Sequence, residues 1–179
     1  MIMTGDQHLD CLDRAEEAVC ILQDQGEDID RVIVIQGDEP LFDTRSLEAD
    51  YDQEVINFYT RVWEESEVHD RNQVKVVVAL DGRARYFSRL ALPDRHPSTA
   101  RSKAAPNLYK QLGIYVFSPR ALQHFTKLPP SPLELSEGIG LNRLLDHGVD
   151  VWMRYTEFDS ISVDTPDDRE RVLTLLHQV

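Results

Sequence analysis

Two aspartates stand directly after apolar runs of the sequence, in positions where they could do chemistry together with a metal ion. Asp38 follows the run Val32–Ile35, and Asp164 follows Ile161–Val163. In open α/β sheets, ligands bind beyond the carboxyl ends of the strands, so the two carboxylates could face each other at one sheet edge. Paired carboxylates are the usual protein ligands of a Mg²⁺ ion whose other ligands are substrate phosphates. The plainer alternative is that Asp38 belongs to a turn and Asp164 helps to cap a helix.

The elements that must position these aspartates begin with a helix and a strand. Residues 9–25 carry apolar side chains at the three-to-four spacing of a helix with one buried face. Val32–Ile35 is a continuous β-branched run, which is typical of a central parallel strand buried on both faces. Residues 54–63 are rich in β-branched and aromatic side chains, and we predict a second strand there.

The middle of the chain predicts a hairpin. Residues 74–80 and 83–87 flank Asp81-Gly82, and Asp-Gly favours the positive backbone angles that a two-residue turn needs. The polar, proline-containing stretch between residues 92 and 106 indicates a surface loop, after which residues 112–117 predict another strand.

A helix start lies at residues 131–134, where Ser is the expected N-cap, Pro takes the first helical position and Glu closes a capping box. We expect this helix to run to about His147 and to stop at Gly148. Gly138 and Gly140 lie inside it, where each costs roughly 1 kcal/mol relative to Ala. They therefore need a packing or ligand reason, or they weaken the helix locally.

The chain closes with two short strand candidates, residues 149–155 and 161–163, and a capped helix. Thr165 is the expected N-cap and Pro166 the first residue of that helix, which we expect to run through His177. Strands that alternate with helices, together with one hairpin, predict an α/β fold with a mixed, mostly parallel sheet and inserted antiparallel strands.

Composition indicates a single globular domain over residues 1–179, with 41% hydrophobic and 28% charged residues. With 19 Lys and Arg against 32 Asp and Glu, the net charge of −13 argues against non-specific binding to nucleic acid or to an anionic membrane. Cys11 and Cys20 match no metal-binding spacing, so we expect reduced thiols and a cytoplasmic protein. The sequence shows neither a long apolar run nor a secretion signal, so we expect no membrane span and no export.

Residues 36–41, Gln-Gly-Asp-Glu-Pro-Leu, resemble the QGDEP motif of the 3-deoxy-manno-octulosonate (KDO) cytidylyltransferases, which are also called CMP-KDO synthetases. Further segments that resemble the family follow in the family's order, and they are Asn72–Val77, Tyr86–Arg89, Leu112–Tyr115, Pro130–Glu134 and Val163–Asp168. The resemblance covers residues 31–175 well and residues 1–30 loosely.

The resemblance implies a cytidylyltransferase that makes CMP-KDO and pyrophosphate from CTP and KDO, with Mg²⁺, for lipopolysaccharide or capsule sugar synthesis. It also implies a Rossmann-like nucleotidyltransferase fold and a homodimer. Asp38 and Asp164 match the family's magnesium-binding, catalytic aspartates, and Arg89 lies where a basic residue meets the acidic sugar. The residues that the resemblance implies for substrate binding are Gln36, Arg89, Gln111, Tyr115, Glu134 and Arg143.

Residue type alone leaves plainer alternatives open for three of these side chains. Gln36 suits a polar group at a strand end that bonds to nearby backbone. Arg89 suits a surface ion pair, and Tyr115, on an apolar strand, suits the core.

The sequence departs from the family pattern in its N-terminal part and in the sugar-binding region. The family's first strand and the Gly- and Arg-containing loop that holds the triphosphate have no counterpart in residues 1–30, which implies an N-terminally truncated fold. Leu9-Asp10-Cys11 stands near the family's Ser-Gly-Thr stretch. Gln111 stands where His is frequent, and Gly140-Leu141 where a Glu-Gln pair is typical.

These departures keep two alternatives open. One is a non-catalytic relative that dimerises or binds an acidic sugar, and the other is a nucleotidyltransferase for a related acidic sugar. We also expect uncovered apolar surface on Val32–Ile35, which would lead to aggregation, to dimerisation or to pairing with a complementary N-terminal fragment.

Overall fold

The computed structural model describes residues 1–8, 10–47, 51–93, 108–160 and 162–177. The elements in chain order are α1 Cys11–Asp24, β1 Val32–Ile35, a 3₁₀ turn at Thr44–Leu47, β2 Val55–Arg61, α2 Glu65–His69, β3 Lys75–Val78, β4 Ala84–Ser88, β5 Tyr109–Phe117, α3 Pro119–Lys127, α4 Pro132–Glu137, α5 Leu141–Asp146, β6 Trp152–Tyr155 and α6 Pro166–Leu176. None of the described helices has the length and apolar character needed to cross a membrane.

The six described strands form one open mixed sheet, as the sequence predicts. Its order is β4-β3-β5-β2-β6, and β1 lies beside the C-terminal half of β5. Among the described strands only β2 and β6 pair in parallel, while β5 pairs antiparallel with β1, β2 and β3. The prediction of a mostly parallel sheet is therefore wrong, because the long strand at its centre takes antiparallel neighbours on both of its edges.

The strand β1 forms where the sequence predicts it, but its surroundings differ. It runs antiparallel to β5, with Val32 opposite Phe117 and Ile35 opposite Ile114. Within the described chain it has no second neighbouring strand, and Ile33 and Ile35 keep 42% and 40% of their surface exposed. The prediction of a central, parallel, fully buried strand is wrong, since a continuous apolar run does not by itself distinguish such a strand from an edge strand.

The strands β3 and β4 form the predicted hairpin. Ala79 N–H donates to the Arg83 carbonyl at 2.8 Å and Gly82 N–H donates to the Ala79 carbonyl at 3.0 Å, so residues 80–82 connect the strands rather than a two-residue turn. Gly82 has a φ of 85°, which a residue without a side chain adopts readily.

The segment expected to form one helix from residue 131 to about residue 147 forms α4 and α5 instead. Ser131 caps α4 in the predicted capping box with Glu134. Gly138 ends α4 with a φ of 64°, in the left-handed region that favours glycine. The prediction of a continuous helix is wrong, and the connection Gly138–Gly140 becomes available to line a cleft.

The C-terminal elements follow the sequence more closely. α6 begins after Thr165, which is the N-cap as predicted, and the structure adds a capping box in which the side chains of Thr165 and Asp168 accept from each other's backbone N–H groups. Ser162 and Val163 lie outside any strand, so the strand predicted at residues 161–163 is wrong for them, while residue 161 itself lies outside the described residues. Residues 94–106 of the predicted surface loop also lie outside them.

The central strand β5 separates two apolar cores. Its residues Tyr115 and Phe117 face the larger core, which includes Leu12 of α1 and Leu122 of α3. Val116 points to the opposite face of the sheet and packs in a smaller core. Ligand-binding groups near Tyr115 are therefore supported from behind by packed apolar side chains.

A bulge in β5 interrupts its pairing with β2. The side-chain amide of Asn57, which is fully buried, donates to the carbonyls of Leu112 and Ile114 at 3.0 and 2.8 Å. These bonds satisfy backbone acceptors that the irregular register leaves without a ladder partner. Asn57 thereby holds the backbone around Gly113 in place.

Candidate active site

A cleft of about 340 Å³ opens between the start of α1, the end of β1 and the α4–α5 connection. Residues predicted for catalysis or binding that line it are Gln36, Asp38, Arg89, Gln111, Tyr115 and Asp164. The rest of its wall consists of Asp10–Leu12, Asn72, Val74, Gly138–Leu141 and Ser162. The fold thus brings together side chains that are far apart in the sequence.

The two candidate metal ligands, Asp38 and Asp164, are held side by side. Val163 N–H donates to the Asp38 carbonyl at 2.9 Å, which ties the segment before Asp164 to the segment after β1. Burial, and then the negative charge of Asp38, raises the pKa of Asp164 above its ordinary value. Two carboxylates that repel each other in this way fit a divalent cation, which would relieve the repulsion.

The donor set for a metal is small. Among the described residues, no three His, Cys, Asp or Glu side chains are grouped closely enough to hold a metal ion by themselves. A Mg²⁺ ion between Asp38 and Asp164 would take its remaining ligands from water and from a bound phosphate, as this ion commonly does.

Gly113 lies in Leu112–Tyr115, a segment of β5 that resembles the family, and it contacts another such segment, residues 36–41. Its N–H donates to Glu39 Oε1 at 3.1 Å, and its carbonyl accepts from Gln36 N–H at 3.0 Å. A Cβ at this position would lie 2.6 Å from Gln36 Oε1 and 2.9 Å from Glu39 Oε1, so a side chain here would push the ends of those two side chains out of their present contacts. Glu39 also accepts from Ser162 Oγ at 3.1 Å. The buried Glu39 therefore joins three segments of the site.

Tyr115 and Gln111 are neighbours on β5. Tyr115 is 6% exposed and packs in the core, as the plainer interpretation expects, but it also lines the cleft and its hydroxyl accepts from Gln111 Nε2 at 3.4 Å. Burial, followed by the nearby Cys11 and Asp10, raises the pKa of Tyr115, so its hydroxyl stays protonated. Gln111 Oε1 is buried and has no partner within the described chain, which leaves an acceptor open at the cleft wall.

Arg89 is the one Lys or Arg among the described residues that line the cleft. Its guanidinium donates to three backbone carbonyls, those of Glu137 at 2.8 Å, Arg71 at 2.8 Å and Gly138 at 3.4 Å. Its backbone N–H donates to Glu137 Oε2 at 3.0 Å. No described carboxylate forms a salt bridge with the Arg89 guanidinium, so the surface ion pair of the plainer interpretation is not formed among these residues. The guanidinium is held in position while its charge remains available to an anion.

Glu134 and Arg143 do not line the cleft. They form a buried ion pair, with Arg143 Nη2 2.5 Å and Nε 2.8 Å from the Glu134 carboxylate, and the Arg143 guanidinium lies 4.2 Å from the centre of the Phe125 ring. Asp13 lies 3.6 Å from the same guanidinium. The geometry gives this pair a structural place between α1, α3 and α5, and its predicted contact with substrate stays a prediction.

Sequence reasoning missed several residues of the cleft wall, among them Asp10, Asn72 and Ser162. Cys11, interpreted from the sequence as a structural thiol, also lines the wall; burial and then the neighbouring Asp10 raise its pKa to about 12. The signal that was available is the position of Asp10 and Cys11 near the family's Ser-Gly-Thr stretch.

Comparisons of the sequence with known proteins identify its family. The family model described as Cytidylyltransferase matches residues 1–154. The 3-deoxy-manno-octulosonate cytidylyltransferase of Solibacter usitatus is 36% identical over 181 residues, which cover 97% of this chain and 68% of that protein. The protein of the same name from Christiangramia forsetii is 33% identical over 185 residues, which cover 98% of this chain and 71% of that protein.

Solved structures give the same picture at the level of the fold. A CMP:2-keto-3-deoxy-manno-octonic acid synthetase complexed with CTP matches with a TM-score of 0.83 and 28% identity, covering 99% of this chain and 72% of that one. The inositol-1-phosphate CTP transferase from T. maritima, at a TM-score of 0.52 and 14% identity over 90% of this chain and 60% of that one, shares the fold alone. The predicted nucleotidyltransferase fold is confirmed. The chain belongs to the cytidylyltransferase family, among the 3-deoxy-manno-octulosonate cytidylyltransferases.

Proposed function

We propose that this protein is a nucleotidyltransferase that activates KDO with CTP and yields CMP-KDO and pyrophosphate. The observation that carries the proposal is the meeting of Asp38, Asp164 and Arg89 in one cleft of a chain whose relatives are named for this reaction. Those relatives do not favour the alternatives of a non-catalytic protein or of a transferase for another acidic sugar.

The reaction joins two anionic molecules. The sugar hydroxyl oxygen forms a bond to the α-phosphorus of CTP, the bond from that phosphorus to pyrophosphate breaks, and the hydroxyl proton leaves to solvent. The protein must hold the reactants in line and offset their charge, and pre-positioned charged groups are the usual means. The carboxylates, the guanidinium and the polar side chains of the cleft supply such groups.

We assign Asp38 and Asp164 to Mg²⁺ binding. The support for this assignment is that both line one cleft and that the Val163 N–H bond to the Asp38 carbonyl ties their segments together, while burial and then the charge of Asp38 raise the pKa of Asp164. When bound, the ion would neutralise phosphate charge and favour attack at phosphorus. Glu39, next to Asp38, accepts hydrogen bonds from Ser162 and from Gly113. These contacts fix the segments that carry the two aspartates against β5.

We assign Arg89 to the carboxylate of the sugar, because its guanidinium is fixed by backbone carbonyls and carries no carboxylate partner among the described residues. Gln36, Gln111 and Tyr115 would bind polar groups of the substrates. Gln111 Oε1 is the acceptor best suited to this, since it is buried and unpartnered in the described structure.

We further propose that the open edge of β1 pairs with another strand, from a second copy of the chain or from a complementary N-terminal segment. The exposed Ile33 and Ile35 and the unpaired edge of β1 in the described sheet support this. Light scattering of the purified chain tests it, and a stable monomer that stays soluble without any added segment would contradict it.

We also propose a cytoplasmic place for the protein, in the synthesis of lipopolysaccharide or capsule sugars, and a single domain over residues 1–179. The free thiols Cys11 and Cys20 suit a reducing compartment. Reporter-tagged protein that is found in the membrane or periplasmic fraction of cells would contradict the proposed cytoplasmic location.

The test of the function is pyrophosphate release from CTP, KDO and Mg²⁺ by the purified chain. We expect release that depends on all three components and is lost in Asp38→Ala and Asp164→Ala. Arg83→Gln, a substitution in the exposed ion pairs with Asp81 and Asp150, is the matched control and should leave release intact. No release from well-folded protein, with or without a supplied N-terminal segment of a relative, would contradict the proposal.

A further inference from the structure

Asp10 stands at the start of α1 with one carboxylate oxygen occupied and one open. Its Oδ1 accepts from Leu12 N–H at 2.7 Å and from the Cys11 thiol at 3.4 Å, which caps the helix. No described residue forms a hydrogen bond with its Oδ2. Because Asp10 lines the cleft, this second oxygen is an acceptor at the cleft wall.

Gly140 has no side chain, and the Asp10 carboxylate occupies the space that a side chain there would fill. A Cβ at residue 140 would lie 2.5 Å from Asp10 Oδ2 and 3.2 Å from Asp10 Cγ, so a larger residue there would displace the carboxylate. The backbone of Gly140 is ordinary right-handed helix, with φ −58° and ψ −36°, and does not itself call for glycine. The close approach of Asp10 is therefore the reason that glycine fits this position.

The α4–α5 connection carries opposite charges at its two ends. Arg89 donates to the carbonyl of Gly138 at 3.4 Å, and Asp10 lies against Gly140. The other cation near Asp10, Arg143, already has Glu134 as its partner. A ligand lying along this connection would meet a fixed cation at one end and a free carboxylate oxygen at the other.

We propose that Asp10 is a specificity-determining residue of this protein, and that its Oδ2 accepts a hydrogen bond from a hydroxyl group of the sugar whose carboxylate pairs with Arg89. Gly140 keeps the space that this carboxylate needs. The residue before α1 thereby supplies a carboxylate to the wall of the cleft beside Gly140. This inference rests on the proposed function, since it names a contact with the sugar substrate.

The main test is Asp10→Ser, because Ser retains the helix cap and removes the free oxygen. We expect the KM for KDO to rise about tenfold to a hundredfold, the loss typical of a hydrogen bond to a charged group, while the KM for CTP changes less than twofold. Gly140→Ala should raise the KM for KDO as well by displacing the carboxylate. The double variant Asp10→Ser with Gly140→Glu should recover most of the loss.

A helix-capping role alone predicts different results. Ser118→Ala removes the cap of α3, away from the cleft, and should lower the melting temperature without changing either KM. If Asp10→Ser gives the same pattern, or changes both KM values equally, the inference is overturned.

Calorimetric titration with KDO alone separates this inference from the proposed function. Wild-type protein that binds KDO without turning it over would refute the function, and weaker binding by Asp10→Ser would still support the contact. Folded wild-type protein that neither binds KDO in the presence of CTP nor releases pyrophosphate would refute both.

Discussion

Arg89 and Arg143 both contact α4, but Arg89 lines the cleft and Arg143 belongs to a buried ion pair. The resemblance implies that both bind substrate, yet Arg143 is 3% exposed and bonded to Glu134, while Arg89 is held by carbonyls and lines the cleft. The charge of Arg143 is satisfied inside the protein, and that of Arg89 is left for a ligand. The cleft should therefore control chemistry with little effect on stability, and the buried pair the reverse.

The sharpest way to break this comparison is Asp164→Asn. Loss of a metal-binding carboxylate should lower kcat roughly 10³-fold, because several kcal/mol of charge stabilisation is lost. The melting temperature should stay the same or rise slightly, since the repulsion with Asp38 disappears. Pyrophosphate release and thermal unfolding on the same samples measure both, and a strongly destabilised variant would contradict the division.

Arg143→Met tests the contribution of the buried Arg143–Glu134 ion pair to stability. It leaves the Glu134 carboxylate buried without its partner, which should lower the free energy of unfolding by about 3–5 kcal/mol. Denaturant unfolding measures the loss, and the double variant with Glu134→Gln should recover part of it. The KM values of the fraction that remains folded should not change. A large rise in the KM for KDO would instead restore the predicted substrate contact.

Arg89→Gln sharpens the comparison from within the cleft. We expect the KM for KDO to rise about tenfold to a hundredfold, since the partner of a carboxylate is removed, with a small change in stability. Arg89→Lys retains the charge without the guanidinium fork and should lie between wild type and Arg89→Gln. Equal loss for CTP and KDO would show that Arg89 does not distinguish the sugar.

The smallest expected effect concerns a second satisfied cation, Lys110. It is 2% exposed and lies 2.6 Å from Glu67. Burial by itself raises the pKa of Glu67, but the hydrogen bond and the charge of Lys110, together with the backbone N–H donors of Glu64 and Trp63, outweigh burial, and the pKa lies below its ordinary value of 4.5. Glu67 thus contributes stability above pH 4.5 that is lost as the pH falls through its lowered pKa. Unfolding curves of Glu67→Gln should show a weaker acid dependence than wild type, and an unchanged dependence would contradict this.

Much of the fold could be predicted because its signals are local. The cap at Thr165, the hairpin of β3 and β4 and the spacing of α1 depend on neighbours within a few residues. The direction of β1 could not be predicted, since it depends on the distant β5. The sequence shows the break at Gly138 only as a cost, because the left-handed φ of 64° at this residue depends on how α4 ends in the folded protein.

The residues of the candidate site also fall into those that the sequence predicts and those that depend on distant contacts. The motif around Asp38 and the residues before Asp164 suggested a shared location, and the structure brings them together. Sequence could not distinguish Arg89 from Arg143, since the difference is whether a carboxylate from another segment reaches the guanidinium. It also gave no reason for Asp10, whose free oxygen matters only next to Gly140.

The contact of Gly113 with Gln36 and Glu39 also limits how this protein can change over time. The Gly113–Glu39 bond joins positions 74 apart in the chain, and a side chain at residue 113 would displace the ends of the Gln36 and Glu39 side chains. Among active members of a random-mutation library, those with a residue other than glycine at 113 should therefore be enriched in smaller residues at position 36 or 39. Residues 36–41 and the segment around Gly113 would then change together during evolution.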